Sequence, residues 1–293
     1  LNNLFLFIAS SIIFFFIFLN HSSAQVSNLE VDSTNVQMLN EVIVSATRVE
    51  RQLSSLPLPA TIISKKTISK TNSLTLDKIL RSQTGLITVP DFGGGEGLQM
   101  QGLDSQYTLI LLNGSPLIGR SAGTFNLKRI NLGNIHQIEI VKGASSSLYG
   151  SEALAGVINI VTEKPTVGFS NDINYSLSTY NSSDFSYSMN NLLRNMAFNF
   201  FFNRNSSDGY DLNEMDELMT VEPFINYTIN GSFSYDLNDK TKFSLSTRYY
   251  NNVQDNVASS SLKGLSEIDE WNTNFKINYS PNSNWDSFLE LYG

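Results

Sequence analysis

The sequence contains no cysteine and only two histidines, His21 and His136, and its 19 Lys and Arg residues are outnumbered by 27 Asp and Glu. The first absence excludes disulfides, thiolate metal ligands, a cysteine nucleophile and a lipidated N-terminal cysteine. The second excludes a histidine-rich metal centre, so neither a metal site nor a cofactor is expected. A formal charge of −8 without any basic arm leaves nothing to meet phosphates, and no nucleic-acid partner is expected. Catalytic signatures are missing as well. There is no HExxH, no Ser, His and Asp arrangement, and no carboxylate pair in a convincing frame. The glycines of DFGGGEGLQMQG, residues 91–102, match neither GxGxxG after a strand nor GxxxxGK before Ser or Thr. An enzyme is not expected. What is abundant is Asn, Ser, Gly and aromatics, with 19 Phe and 12 Tyr, a load suited to packed or membrane-facing strands.

Residues 1–24 join an apolar run, Leu4 to Leu19, to small polar residues, with Ser22 and Ala24 before a cut near Gln25. That is the pattern of an export signal, although a basic n-region is missing. The run is short of the roughly 20 residues that a spanning helix needs. Residues 25–40 are polar and aperiodic, a flexible leader. Within it and up to residue 50 lies EVIVSAT, residues 41–47, a β-prone run able to add itself as an edge strand to a partner's sheet. An ordinary first strand of the following domain is the alternative.

Residues 51–165 read as a small mixed α/β domain. Strands are expected at 60–64, 86–89, 107–112, 137–141 and 156–162, and a helix at 75–81 ended by Gly85. Asn113-Gly114 is the strongest two-residue turn signal in the chain. Residues 91–102 are too glycine-rich for a regular element. From residue 166 the pattern changes to period 2. Phe169, Ile173, Tyr175 and Leu177 alternate with Ser170, Asp172, Asn174 and Ser176, and similar runs follow at 184–191, 195–203, 223–236, 241–251 and 270–280. The polar face is Asn, Ser and Thr rather than a charged mixture, and the runs approach or exceed the ~9–11 residues that cross hydrocarbon when tilted. Links at 192–194 and 237–240 are short, those at 204–222 and 252–269 long, as in barrels with short turns at one end. Six strands, with a seventh starting at Trp285, leave open edges, so a longer parent chain is expected.

IEIVKGASSSLYGSEALAGVINIVTEK at 138–164, LILLNGSPL at 109–117, LQMQGLDSQY at 98–107 and LNEVIVSATRVE at 39–50 together resemble the TonB-dependent outer-membrane receptors. The resemblance implies a transmembrane antiparallel β-barrel, present here to about six strands, with an N-terminal mixed α/β plug domain and roughly sixteen further strands. It implies location in the outer membrane of a Gram-negative bacterium, contact with outer-membrane lipid, and the TonB-ExbB-ExbD inner-membrane complex as partner. The implied function is active uptake of a scarce small-molecule or metal-chelate ligand, a siderophore, haem or cobalamin. A glycan or peptide receptor with a surface lipoprotein partner, an adhesion or signalling barrel, and a truncated remnant are the alternatives.

Carried onto this chain, the coupling element is Glu41, Val42, Ile43, Val44, Ser45, Ala46 and Thr47. The ligand-facing plug apices are Asp91, Phe92, Gly93, Gly94, Gly95 and Glu96, with Leu117, Ile118 and Arg120. The plug's structural motif is Gly102, Asn113, Gly114, Gly143, Tyr149, Gly150, Gly156 and Asn159. Gln101-Gly102 departs from the family's Arg-Gly, which removes a charge from any polar network at that point.

Overall fold

The computed structural model describes residues 42–43, 51–52, 59–90, 96–120, 123–143, 149–213, 215, 219–259, 262–282 and 285–293. The expected export signal and leader, 1–40, lie outside the described residues. Two short strands come first, β1 (Val42–Ile43) and β2 (Arg51–Gln52), paired antiparallel with Val42 opposite Gln52.

Residues 59–164 form the α/β region. Its elements are β3 (Ala60–Ser64), α1 (Lys65–Thr71), α2 (Leu76–Leu80), β4 (Leu86–Pro90), β5 (Glu96–Met100), β6 (Thr108–Leu112), β7 (Ser115–Pro116), β8 (Ile135–Lys142) and β9 (Gly156–Thr162). A five-stranded sheet runs in the order β3-β8-β9-β6-β7, parallel only between β6 and β9, and β4 and β5 form a separate hairpin. The central strands read as near-continuous apolar runs because both faces are covered. Ile138, Ile140, Val157, Ile158 and Ile160 are fully buried, and α2 adds Leu76, Ile79 and Leu80 to the core.

Two local expectations are corrected. Helix α1, KKTISKT, was not anticipated, since Ile68 is its one buried residue and three lysines dilute the apolar stripe. Residues 96–100 are a strand rather than an irregular segment. Gly97 sits in it because a Cβ there would lie 2.5 Å from Thr124 Cγ2 and 2.9 Å from Ser105 Cβ, so closeness of approach, not turn formation, requires that glycine. Gly156 is similarly pinned: its Cβ would meet the Val141 carbonyl oxygen at 2.3 Å. Asn113 and Gly114, both at positive φ (52° and 85°), close the β6–β7 hairpin as expected.

The second region is a seven-stranded antiparallel meander, β10 (Gly168–Ser178), β11 (Ser182–Leu193), β12 (Met196–Ser207), β13 (Phe224–Asn238), β14 (Thr241–Ser259), β15 (Leu262–Asn282) and β16 (Trp285–Tyr292). The alternation expected from the sequence is realised: Phe169, Ile173, Leu177, Leu245 and Trp271 are exposed on one face, while Asp184, Ser186, Ser188, Asn190, Asn199, Asn203 and Thr228 are buried on the other. The sheet has the six expected strands and a seventh that starts at Trp285, where one was expected to begin. Most of the link foreseen at 252–269 is instead strand, since β14 and β15 stay paired as far as Ser259 and Leu262. On the apolar face, Tyr249 and Trp271 lie 4.6 Å apart by ring centroid, with Phe243, Tyr235 and Tyr279 toward the opposite end of the strands. From Thr241 to Tyr249 the strand covers roughly 27 Å at ~3.4 Å per residue. No described helix is long and apolar enough to cross a membrane, which says nothing of strands.

Candidate functional site

The polar face of the sheet is buried from β11 to β15, though not on β10, because the α/β region lies against it, and the seam between them holds a dense cluster of buried polar groups. At its centre is Glu270 of β15, 7 % exposed. Its carboxylate accepts from Arg129 Nη1 of the α/β region at 3.1 Å, from Arg248 Nη1 of β14 at 2.6 Å and from Asn272 Nδ2 at 2.7 Å. The two guanidiniums are further held by main-chain acceptors. Arg129 Nη1 donates to the Gly119 carbonyl at 2.9 Å and Arg248 Nη2 to the Arg129 carbonyl at 2.8 Å. Two cations and one anion removed from water need such hydrogen bonding to persist, and Arg129 Nε alone of the described triad atoms is buried without a partner. Gly119 is required here too, because a Cβ would approach Glu270 Cδ to 2.9 Å, at a φ of 109°.

Next to this triad the seam continues through single polar bonds. Ile118 N donates to Asn272 Oδ1 at 3.0 Å, and Ser115 meets both Glu290 and Asn274, at 2.5 and 3.1 Å. A cavity of about 50 Å³ lies beside them, walled by Asn134 and Leu117 on one side and Asn199, Asn230, Ser246 and Asn272 on the other. Toward β11 the seam is thinner: Asn131 Nδ2 reaches Asp184 Oδ2 at 3.4 Å, and Phe201 of β12 rests against Gly133. Interfaces of this kind, hydrogen-bonded and charged rather than apolar, separate more readily than a core does.

The expected site residues scatter differently over this frame. Of the coupling element, Val42 and Ile43 form β1, while Glu41, Val44, Ser45, Ala46 and Thr47 lie outside the described residues. Asp91, Phe92, Gly93, Gly94 and Gly95 lie outside them as well. Glu96 opens β5 and is ion-paired with Arg81 and, at 3.3 Å, with Lys128. Burial works to raise its carboxyl, but the Arg81 hydrogen bond and the Lys128 charge outweigh that and hold it below the ordinary carboxylate range.

Leu117 corrects its assignment to a ligand-facing apex: it is 6 % exposed and belongs to the hydrophobic core, where an apolar side chain gains most. Arg120 clamps its own loop, donating to the carbonyls of Gln106, Gly123 and Thr108 at 3.0, 3.2 and 3.3 Å. Ile118 is exposed.

Most residues of the expected structural motif lie in or at the ends of β6, β8 and β9. Asn159, 1 % exposed, accepts from Gly114 N at 2.8 Å and donates to Glu139 at 3.0 Å, joining the β6–β7 turn to β8 and β9. Asn113 accepts from Thr162 N at 2.9 Å, and Tyr149 packs on Leu109, Leu111, Ala153 and Val157. Gly143 and Gly150 take positive φ at 108° and 87°. Gly102 and Gln101 form an exposed tight turn closed by Met100 and Leu103, so the neutral glutamine stands in solvent rather than in a buried network. Arg129, Arg248 and Glu270 were not singled out from the sequence. The available signal was a charge, Arg248 or Glu270, in the middle of a polar face rich in Ser and Asn.

Residues 52–157 match the TonB-dependent Receptor Plug Domain. Across 214 residues the chain is 29% identical to a vitamin B12 transporter, BtuB, of Vibrio vulnificus (strain YJ016), covering 70% of this chain and 34% of that protein. Across 133 residues it is 35% identical to a vitamin B12 transporter of Vibrio cholerae, covering 45% and 22%. The chain thus spans about a third or less of the length of these relatives. Its fold is similar to the ferripyoverdine receptor of the outer membrane of Pseudomonas aeruginosa bound to ferripyoverdine, with a TM-score of 0.69 at 15% identity over 86% of this chain and 36% of that one. It is also similar to the ferric enterobactin receptor PfeA of Pseudomonas aeruginosa, with a TM-score of 0.67 at 17% identity over 80% and 40%.

Proposed function

The chain belongs to the TonB-dependent receptor family, and from that premise we propose that it supplies the plug and the first wall strands of an outer-membrane transporter that imports a scarce ligand. The observation that carries this reading is the seam: a folded α/β region held to a polar sheet face by Arg129, Glu270 and Arg248 and by scattered amide and hydroxyl bonds. Such a plug is firm at rest and can be released without exposing an apolar core. The outward apolar face and its aromatic levels suit outer-membrane lipid.

The favoured ligand is a corrinoid such as cobalamin, because the relatives alike in sequence are vitamin B12 transporters, whereas the siderophore receptors named above are alike in fold alone. Asp91 to Gly95 and Ile118 are the proposed ligand-facing positions. Glu41 to Thr47 is the proposed coupling element, gripped by the TonB complex through strand addition; Val42 and Ile43 already take strand form. The test is made on cells carrying the full-length protein, in which deletion of 41–47 is expected to leave surface binding of labelled cyanocobalamin intact and to abolish uptake. Unchanged uptake would remove the coupling assignment, and absence of binding by the intact protein would remove the corrinoid.

A further inference from the structure

The seam is fastened unevenly. On the side of β14, β15 and β16 the α/β region is tied by the Arg129–Glu270–Arg248 triad, by Ile118 to Asn272, and by Ser115 to Glu290 and Asn274. Opposite β10 and β11 a cleft of about 420 Å³ separates the two regions, with Ser69 and Asn72 on one bank and Asp172, Asp184 and Ser186 on the other. Among the described residues the bond across its border, Asn131 to Asp184, is 3.4 Å long, and that carboxylate oxygen is also served within the sheet by Asn203 and Asn205, each at 2.9 Å. Losing Asn131 costs Asp184 one long bond from a neutral amide, whereas parting Arg129 from Glu270 breaks an ion pair between two buried charges and leaves Glu270 only its donors within the sheet, Arg248 and Asn272. The work of separation is low on one side and high on the other.

We propose that the plug is hinged on β14–β16 and yields toward β10–β11, so that the cleft between α1 and those strands is where a passage opens. The inference rests on the reading of the α/β region as a releasable plug, and it adds the side of release and the chemistry of the opening. Lys65 at the cleft is ion-paired with Glu163, while Asp172 and Asp184 bring carboxylates and Ser186, Asn174 and Ser176 bring hydroxyls and amides. The opening passes neutral or cationic hydrogen-bonding solutes in preference to anions.

No cysteine occurs in these 293 residues, and any in the remainder of the full-length protein is replaced by serine before the pairs are introduced. In the full-length protein, Ser69→Cys with Ser186→Cys bridges the cleft through a cleavable bis-maleimide, and Ser115→Cys with Asn274→Cys bridges the fastened side. The purified proteins are placed in planar bilayers in KCl, at urea concentrations that loosen the plug and spare the wall. The cleft bridge is expected to lower urea-induced conductance about tenfold, reversed on cleavage, while the fastened-side bridge leaves it within about twofold. The current is expected to favour K⁺ over Cl⁻, and Asp172→Asn with Asp184→Asn to reduce that preference. Equal block by both bridges, block by the fastened-side bridge alone, no block by either, or no conductance from the unbridged protein would each overturn the proposal. Failure of cyanocobalamin uptake by the unbridged protein would defeat the transport reading and leave the conductance result standing.

Discussion

The α/β region and the seven-stranded sheet bury opposite chemistry. In the first, Ile138, Ile140, Ile158 and Ile160 are hidden and lysines such as Lys66 and Lys70 are outside; in the second, Ser186, Asn190, Asn199 and Asn203 are hidden and Phe169, Leu177 and Trp271 are outside. Each region therefore has its own solvent. The α/β region is stabilised by removing apolar area from water. The sheet has no such interior of its own and depends on an apolar surrounding and on the polar seam. What joins the two is one buried charge triad and a few amide and hydroxyl bonds.

The contrast can be broken most severely at Glu270. Glu270→Ala leaves Arg129 and Arg248 buried together without their anion and is expected to weaken the hold of plug on wall by about 3–5 kcal/mol. Faster amide hydrogen exchange at Ile118 and Arg129 in the full-length protein, with exchange in β8 and β9 unaltered, would report it. A step smaller, Leu245→Arg on the outward face is expected to cost about 2–4 kcal/mol in folding into lipid vesicles. A change under about 0.5 kcal/mol, as for a water-exposed position, would deny that this face meets lipid.

The smallest effect sits in the α/β region. Because the Glu96 carboxyl titrates below its ordinary range, its contribution is complete above the unfolded value of about 4.3 and is lost as pH falls through the lowered value. It is largely a surface network and should be worth under about 1 kcal/mol. Amide exchange of the β4–β5 hairpin should accelerate in acid in the parent protein and lose that pH dependence in Glu96→Gln.

Much of this contrast was legible in the sequence because period 2 is a local signal. Phe169 to Ser178 and Thr241 to Tyr249 announce their faces residue by residue, and Asn113-Gly114 announces its turn. The continuation of β14 was not legible. Asn251, Asn252, Gln254 and Asp255 are polar on both faces, so alternation carries no contrast once a hairpin leaves the apolar layer. Leu117 follows Pro116 in a stretch that reads as loop, and only its place beneath β6 shows it to be core. The seam was hidden for a different reason. Arg129 and Glu270 are 141 positions apart, and no periodicity links residues that meet only when one folded body is laid against another.

The persistence of β14 and β15 past Tyr249 and Trp271 has a mechanical consequence. Ten more residues from Tyr249 to Ser259 carry the hairpin roughly 33 Å along the strand, at ~3.3 Å per residue. The hairpin continues as a blade past the aromatic level of Tyr249 and Trp271, laddered by main-chain hydrogen bonds. A ribbon of that length, paired strand to strand and mostly polar on both faces, bends as one piece, so that a push at its tip is felt at Tyr249 and Trp271.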